Sequence, residues 1–150
     1  SVQIKRQIVN ADFKEKNLRK TLNFGHTIGH ALESYSMKHH QDPLKHGEAV
    51  AAGMVTELFL SVGIIGFPVS QMEAIVDFIL LHFNLSKLEF DIEEILSLIS
   101  HDKKTVGKDT HFVLLKDIGY PVIHNQPEEQ EIRDALQFTL NRFHQTTYTS

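Results

Sequence analysis

Apolar residues Leu18, Leu22, Ile28, Leu32 and Tyr35 return at helical spacings, and this predicts a helix through residues 19–33. Asn17 is suited to cap its start. The stretch MKHHQDPLKHG, residues 37–47, is polar and contains Pro43, so it reads as a loop. From about Lys45 to Val62 the chain is small and apolar through its first half, the pattern of a buried helix. Gly63 and the run Gly66-Phe67-Pro68 end it. Ser70 and Glu73 have the spacing of a capping box and open a third helix, QMEAIVDFILLHFN. Residues 91–100 form a short fourth helix, with Asp91 as its cap and acids in its first turn. HDKKTVGKDT reads as a polar turn, and residues 111–119 as a strand or extended segment. Pro127-Glu128-Glu129 opens a last helix, EEQEIRDALQFTLNRF, whose Ile132, Leu136 and Leu140 offer an apolar face to a core or a sister subunit. The expected fold is mainly α, a helical bundle-like single domain over residues 1–150.

Composition narrows the class without naming a function. A chain of 150 residues, 41% hydrophobic and 23% charged, is an ordinary globular domain and large enough to bury a core without staples. The net charge of −4 argues against a nucleic-acid partner, which selects for basic stripes. No cysteine is present, so no disulfide framework is possible. No apolar run approaches the roughly 20 residues that span a bilayer, and no signal-peptide pattern opens the chain, so no membrane partner is expected. The first residue is serine rather than methionine, which points to a processed or excised piece.

The ten histidines change the picture through their placement. On a helix over 19–33, Arg19, Asn23, His26 and His30 fall on one stripe. Gly25 and Gly29 form a neighbouring stripe without side chains, which lets another backbone or a ligand come close. Histidines four apart on a helix can share a metal, and imidazole is a good zinc ligand. His46, at the start of the following helix, reaches the same cleft if the two helices pack antiparallel. The three rings then supply either a metal site or two ligands and one base. His39, His40, His82, His101, His111, His124 and His144 lack such company and read as ordinary loop, face or turn residues.

LNFGHTIGHALE, then LKHGEAVAAGM, then DKKTVGKDTHFVLLKDIG occur in that order over roughly residues 5–119. In these motifs the chain resembles the 3-dehydroquinate synthases. Related sugar-phosphate cyclases share much of the pattern, and iron-type alcohol and glycerol dehydrogenases share the architecture more weakly. The resemblance implies a two-domain enzyme whose N-terminal α/β domain binds NAD. This chain has no Gly-rich strand–turn–helix fingerprint, so it matches the C-terminal helical domain alone.

The implied reaction converts 3-deoxy-D-arabino-heptulosonate 7-phosphate to 3-dehydroquinate and phosphate, a cytoplasmic step of the shikimate pathway. It proceeds by transient oxidation, phosphate elimination, reduction and ring closure. By motif position, His26 and His46 match the family's histidine ligands to Zn2+ or Co2+, with a third ligand, a glutamate, from the other domain. His30 matches a histidine of the phosphate and proton-transfer path. Arg19 and Asn23 match substrate-binding residues, Lys5 matches a lysine that faces the anionic substrate, and Lys103 or Lys104 matches another substrate lysine. The implied partners are the sugar-phosphate substrate, the N-terminal domain and a second copy in a homodimer. The isolated domain is expected to be inactive. The alternatives are a related cyclase or polyol dehydrogenase domain, or a non-enzymatic helical module that binds metal or a partner. The loop from Met37 to Lys45 is longer and richer in histidine than the resemblance leads one to expect.

Overall fold

The computed structural model describes residues 25–85, 88–106, 112–117, 120–124 and 127–145. Among the described residues, five helices and one hairpin follow in order: α1 (His26–His39), α2 (His46–Ile65), α3 (Val69–His82), α4 (Ile92–Val106), β1 (Phe112–Asp117), β2 (Tyr120–His124) and α5 (Glu129–Gln145). The chain is mainly α, as its periodicity predicts. Leu18, Leu22 and Asn17 lie outside the described residues.

The middle of the fold is α2, which packs against α1, α3, α5 and β1. Its first half is small because it is buried: Ala49, Ala51, Ala52, Gly53 and Val55 all lie inside. Contrary to the sequence expectation, its 20 residues are long and apolar enough, by length and composition, to cross a membrane. More than half of that apolar window is buried inside the protein, so the composition reflects a core position. The core continues through Leu58 of α2, Ile95 of α4, Phe112 and Leu114 of β1, and Leu136 and Phe143 of α5, none more than 1% exposed. Ile132 and Leu136 face this core, with Leu140 packed at its edge. The apolar face of the last helix is thus used within the chain rather than offered to a sister subunit.

α1 and α2 form an antiparallel pair whose backbones nearly touch. A Cβ built on Gly53 would sit 2.1 Å from the Gly25 carbonyl oxygen and 2.8 Å from the Gly29 nitrogen. One on Gly29 would lie 3.2 Å from the Ala49 carbonyl oxygen and the Val50 Cα. Gly25 sits before the helix with φ +84, and a Cβ there would strike the Met54 side chain at 2.6 Å. A helical residue has φ near −63°, so the expected continuous helix over 19–33 is interrupted at Gly25.

Other boundaries also moved. α1 runs three residues into the expected loop, to His39, and the connection is held by the buried Ser36. Its hydroxyl accepts the Leu44 N–H at 2.7 Å and pairs with His40 Nδ1 at 2.8 Å. Ser70 caps nothing, because the Met72 N–H already bonds the Pro68 carbonyl and the helix begins at Val69. Glu73 instead accepts from Arg142 of α5 at 2.6 Å. Asp91 does cap α4, accepting the Glu93 N–H at 2.9 Å. That helix continues to Val106, through most of the stretch expected to be a turn. β1 falls where an extended segment is expected, and β2, which sequence reasoning missed, pairs with it antiparallel.

The other edge of β1 is covered by α2. Ser61 accepts the Leu115 N–H at 2.9 Å, and the fully buried carboxyl of Glu57 faces the Val113 N–H. Ser61 thus supplies an acceptor to a strand edge that would otherwise be unpaired. At the α2–α5 contact, the buried hydroxyls of Thr56 and Thr139 meet at 2.6 Å.

The glycine contact gives a direct test. Gly53→Ala should cost about 2–3 kcal/mol or more in denaturant unfolding, because the new methyl meets backbone that cannot rotate away. Gly63→Ala, where a Cβ meets nothing within 4 Å, should instead stabilise by about 0.5–1 kcal/mol. Equal effects at the two sites would refute the packing account.

Candidate functional site

Because α1 and α2 approach so closely, the side chains at the edge of their contact converge. The rings of His26 and His46 have centroids 5.8 Å apart, those of His26 and His30 6.0 Å, and those of His30 and His46 6.4 Å. Two imidazoles bound to one tetrahedral zinc would have centroids roughly 5 Å apart, so the closest pair needs only a small adjustment. His26 is partly buried, while His30 and His46 are exposed. Among the described residues, no group of three or more His, Asp or Glu side chains is already gathered to hold a metal ion. A two-histidine donor set of His26 and His46 fits the geometry.

Glu33 belongs to the same face of α1, one turn beyond His30. Its Oε1 lies 3.2 Å from His46 Nδ1. The pairing of α1 with α2 therefore runs from Gly25 against Gly53, through Gly29 against Ala49, to Glu33 against His46.

Lys5, Arg19 and Asn23 lie outside the described residues. The break at Gly25 also removes the argument that a continuous helix aligns Arg19 and Asn23 with His26 and His30. Lys103 and Lys104 have helical backbone within α4 rather than sitting in a turn, and their side chains lie outside the described atoms. His39 pairs with Glu94 at 2.7 Å, His82 stacks on Phe78 with centroids 4.1 Å apart, and His144 meets the Leu88 carbonyl at 2.6 Å. Each of these three has a local partner away from the ring cluster, as the sequence reading expects. The side chains of His111 and His124 lie outside the described atoms.

Residues 1–105 match the family described as 3-dehydroquinate synthase C-terminal. The chain belongs to this family. It is 40% identical over 144 residues to the 3-dehydroquinate synthase of Parabacteroides distasonis, covering 95% of this chain and 40% of that protein. It is 38% identical over 137 residues to that of Koribacter versatilis, covering 91% of this chain and 37% of that protein. The chain thus spans about two fifths of the length of the curated relatives it matches. The fold is similar to a 2-deoxy-scyllo-inosose synthase solved with carbaglucose-6-phosphate, NAD+ and Co2+. That match has a TM-score of 0.56 at 26% identity and covers 77% of this chain and 32% of that one. A second structure of such a synthase gives 0.55 at 25% identity, over 83% and 33%.

Sequence reasoning missed Glu57, the least expected group near the site. Its carboxyl is completely buried, and the N–H groups of Gly25 and Val113 face it, but neither oxygen gains a hydrogen bond of good geometry. Its helical phase was the available signal, since it is an acid among buried positions of an apolar helix. Burial pushes the carboxyl well above the ordinary glutamate value of 4.5, against the smaller opposing pull of the two amides. Below 4.5 both folded and unfolded chains hold the proton. Above it the unfolded chain ionises first, so this group's contribution to stability falls with rising pH until its raised folded value is reached. Relative to Glu57→Gln, the wild-type chain should lose up to about 1.4 kcal/mol per pH unit in that window. Unfolding midpoints in urea across the pH range would show it, and parallel curves for the two proteins would contradict it.

Proposed function

We propose that this chain is the metal- and substrate-binding C-terminal part of a 3-dehydroquinate synthase. In this reading the whole enzyme converts 3-deoxy-D-arabino-heptulosonate 7-phosphate to 3-dehydroquinate and phosphate in the cytoplasm, as a step of the shikimate pathway. The observation that carries it is the convergence of His26, His30 and His46 at the α1–α2 contact, centroids 5.8–6.4 Å apart, in a chain of this family.

His26 and His46 are the ligands this chain contributes to Zn2+ or Co2+, and the remaining protein ligand comes from the NAD-binding N-terminal domain. The bound ion supplies Lewis-acid polarisation of substrate hydroxyls. His30 stands beside the two ligands with an exposed ring and carries the proton between substrate and leaving phosphate, a task for which imidazole is suited near neutral pH. Arg19 and Lys5 hold the anionic groups of the substrate, arginine by its two-pronged guanidinium, and Asn23 holds a hydroxyl. Lys103 or Lys104 adds a further cation. Residues 1–150 act as one domain, dependent on the N-terminal domain for hydride chemistry, and the enzyme works as a homodimer.

A second reading is a sister cyclase acting on a hexose phosphate. It is favoured by the fold match to the synthase that holds carbaglucose-6-phosphate.

The complete enzyme carrying this segment, given NAD and Co2+, should release phosphate from the heptulosonate phosphate and not from glucose 6-phosphate. The reverse preference would establish the second reading. His26→Ala and His46→Ala should each lower turnover by at least about 100-fold, more than the loss of an outer-shell partner costs. Undiminished activity in both variants, or dehydroquinate formation by this chain alone, would defeat the proposal.

A further inference from the structure

We propose that Glu33 is a positioning residue: it fixes the tautomer of His46 and so turns that ring's Nε2 toward the shared cleft as a donor. An ionised carboxylate offers acceptors only. Its 3.2 Å contact with His46 Nδ1 is therefore a hydrogen bond in which the ring donates. A neutral imidazole with its proton on Nδ1 keeps its lone pair on Nε2.

The placement is as specific as the contact. Glu33 lies seven residues beyond His26 and three beyond His30 on α1, so all three share a face, and His46 enters from the first turn of α2. The glycine contact that brings the backbones together sets the distance at which Glu33 meets His46. The loop between the helices, tied by Ser36 to Leu44 and His40, brings α2 back to that point. Carboxylate–histidine pairs of this kind orient metal ligands, and losing the outer partner costs 10–100-fold in metal affinity. The tautomer stands independently of the proposed function; the consequence for a metal rests on His46 being a ligand.

The test uses the full chain labelled with 15N-histidine, metal-free, above the pH at which imidazoles titrate. The His46 signal, assigned with His46→Gln, should show the Nδ1–H tautomer, and Glu33→Ala should shift it toward Nε2–H. Ser34→Ala, at the exposed neighbouring position, should leave it unchanged. In the complete enzyme, Glu33→Ala should weaken Co2+ binding by 10–100-fold, followed by the visible spectrum of the ion. A wild-type His46 carrying its proton on Nε2, or a tautomer indifferent to Glu33→Ala, would overturn the proposal. If the tautomer shifts while Co2+ affinity does not change, the positioning contact stands and the ligand reading of His46 falls.

Discussion

The approach of two backbones governs the rest of this structure. At Gly53 there is room for a hydrogen atom and nothing larger, since any side chain would occupy the place of the Gly25 carbonyl. That single constraint explains why α1 opens with a glycine in the left-handed region, why Gly29 follows four residues later, and why α2 is built of alanine and glycine where they cross. The cost of glycine in a helix, about 1 kcal/mol against alanine, is offset by close helix packing. The same approach draws three imidazoles from two helices into one cluster. The glycines therefore serve the histidines indirectly: they bring a second backbone close, and that backbone carries His46.

Much of this was legible in the chain. Helical periodicity in 46–62, 71–84 and 128–143 gave helices at nearly their observed places, because apolar spacing reports which face is buried. The His26–His30–His46 grouping was legible as well, since two histidines four apart followed by a third at a helix start leave few other arrangements. What was not legible depended on contacts distant in sequence. Ser70 has the local signature of a cap, but the Pro68 carbonyl extends the helix past it. Lys103 and Lys104 sit in a polar run that reads as a turn, yet α4 continues through it. Tyr120–His124 is short and contains a proline, and only its pairing with β1 makes it a strand.

Two glutamates show how carboxylates at similar positions in sequence space acquire opposite characters. Glu33 stands partly exposed at the edge of the α1–α2 pair, within 3.2 Å of His46 Nδ1. Glu57 lies one turn beyond the glycine contact on α2, entirely enclosed between the start of α1 and the edge of β1. Ser61, one turn further along α2, joins the hairpin to the helix by accepting the Leu115 N–H. The central helix and the hairpin are thus tied by a buried hydroxyl as well as by apolar packing. No pattern of hydrophobic positions could have announced that link.

The central claim is that the helix contact presents two imidazoles, and not one or three, to a common ion. X-ray absorption at the cobalt edge of the loaded full-length protein counts the imidazole rings around the metal. The account predicts two, falling to one in either His26→Ala or His46→Ala. A third ring contributed by His30, or a shell unaffected by both substitutions, would contradict it.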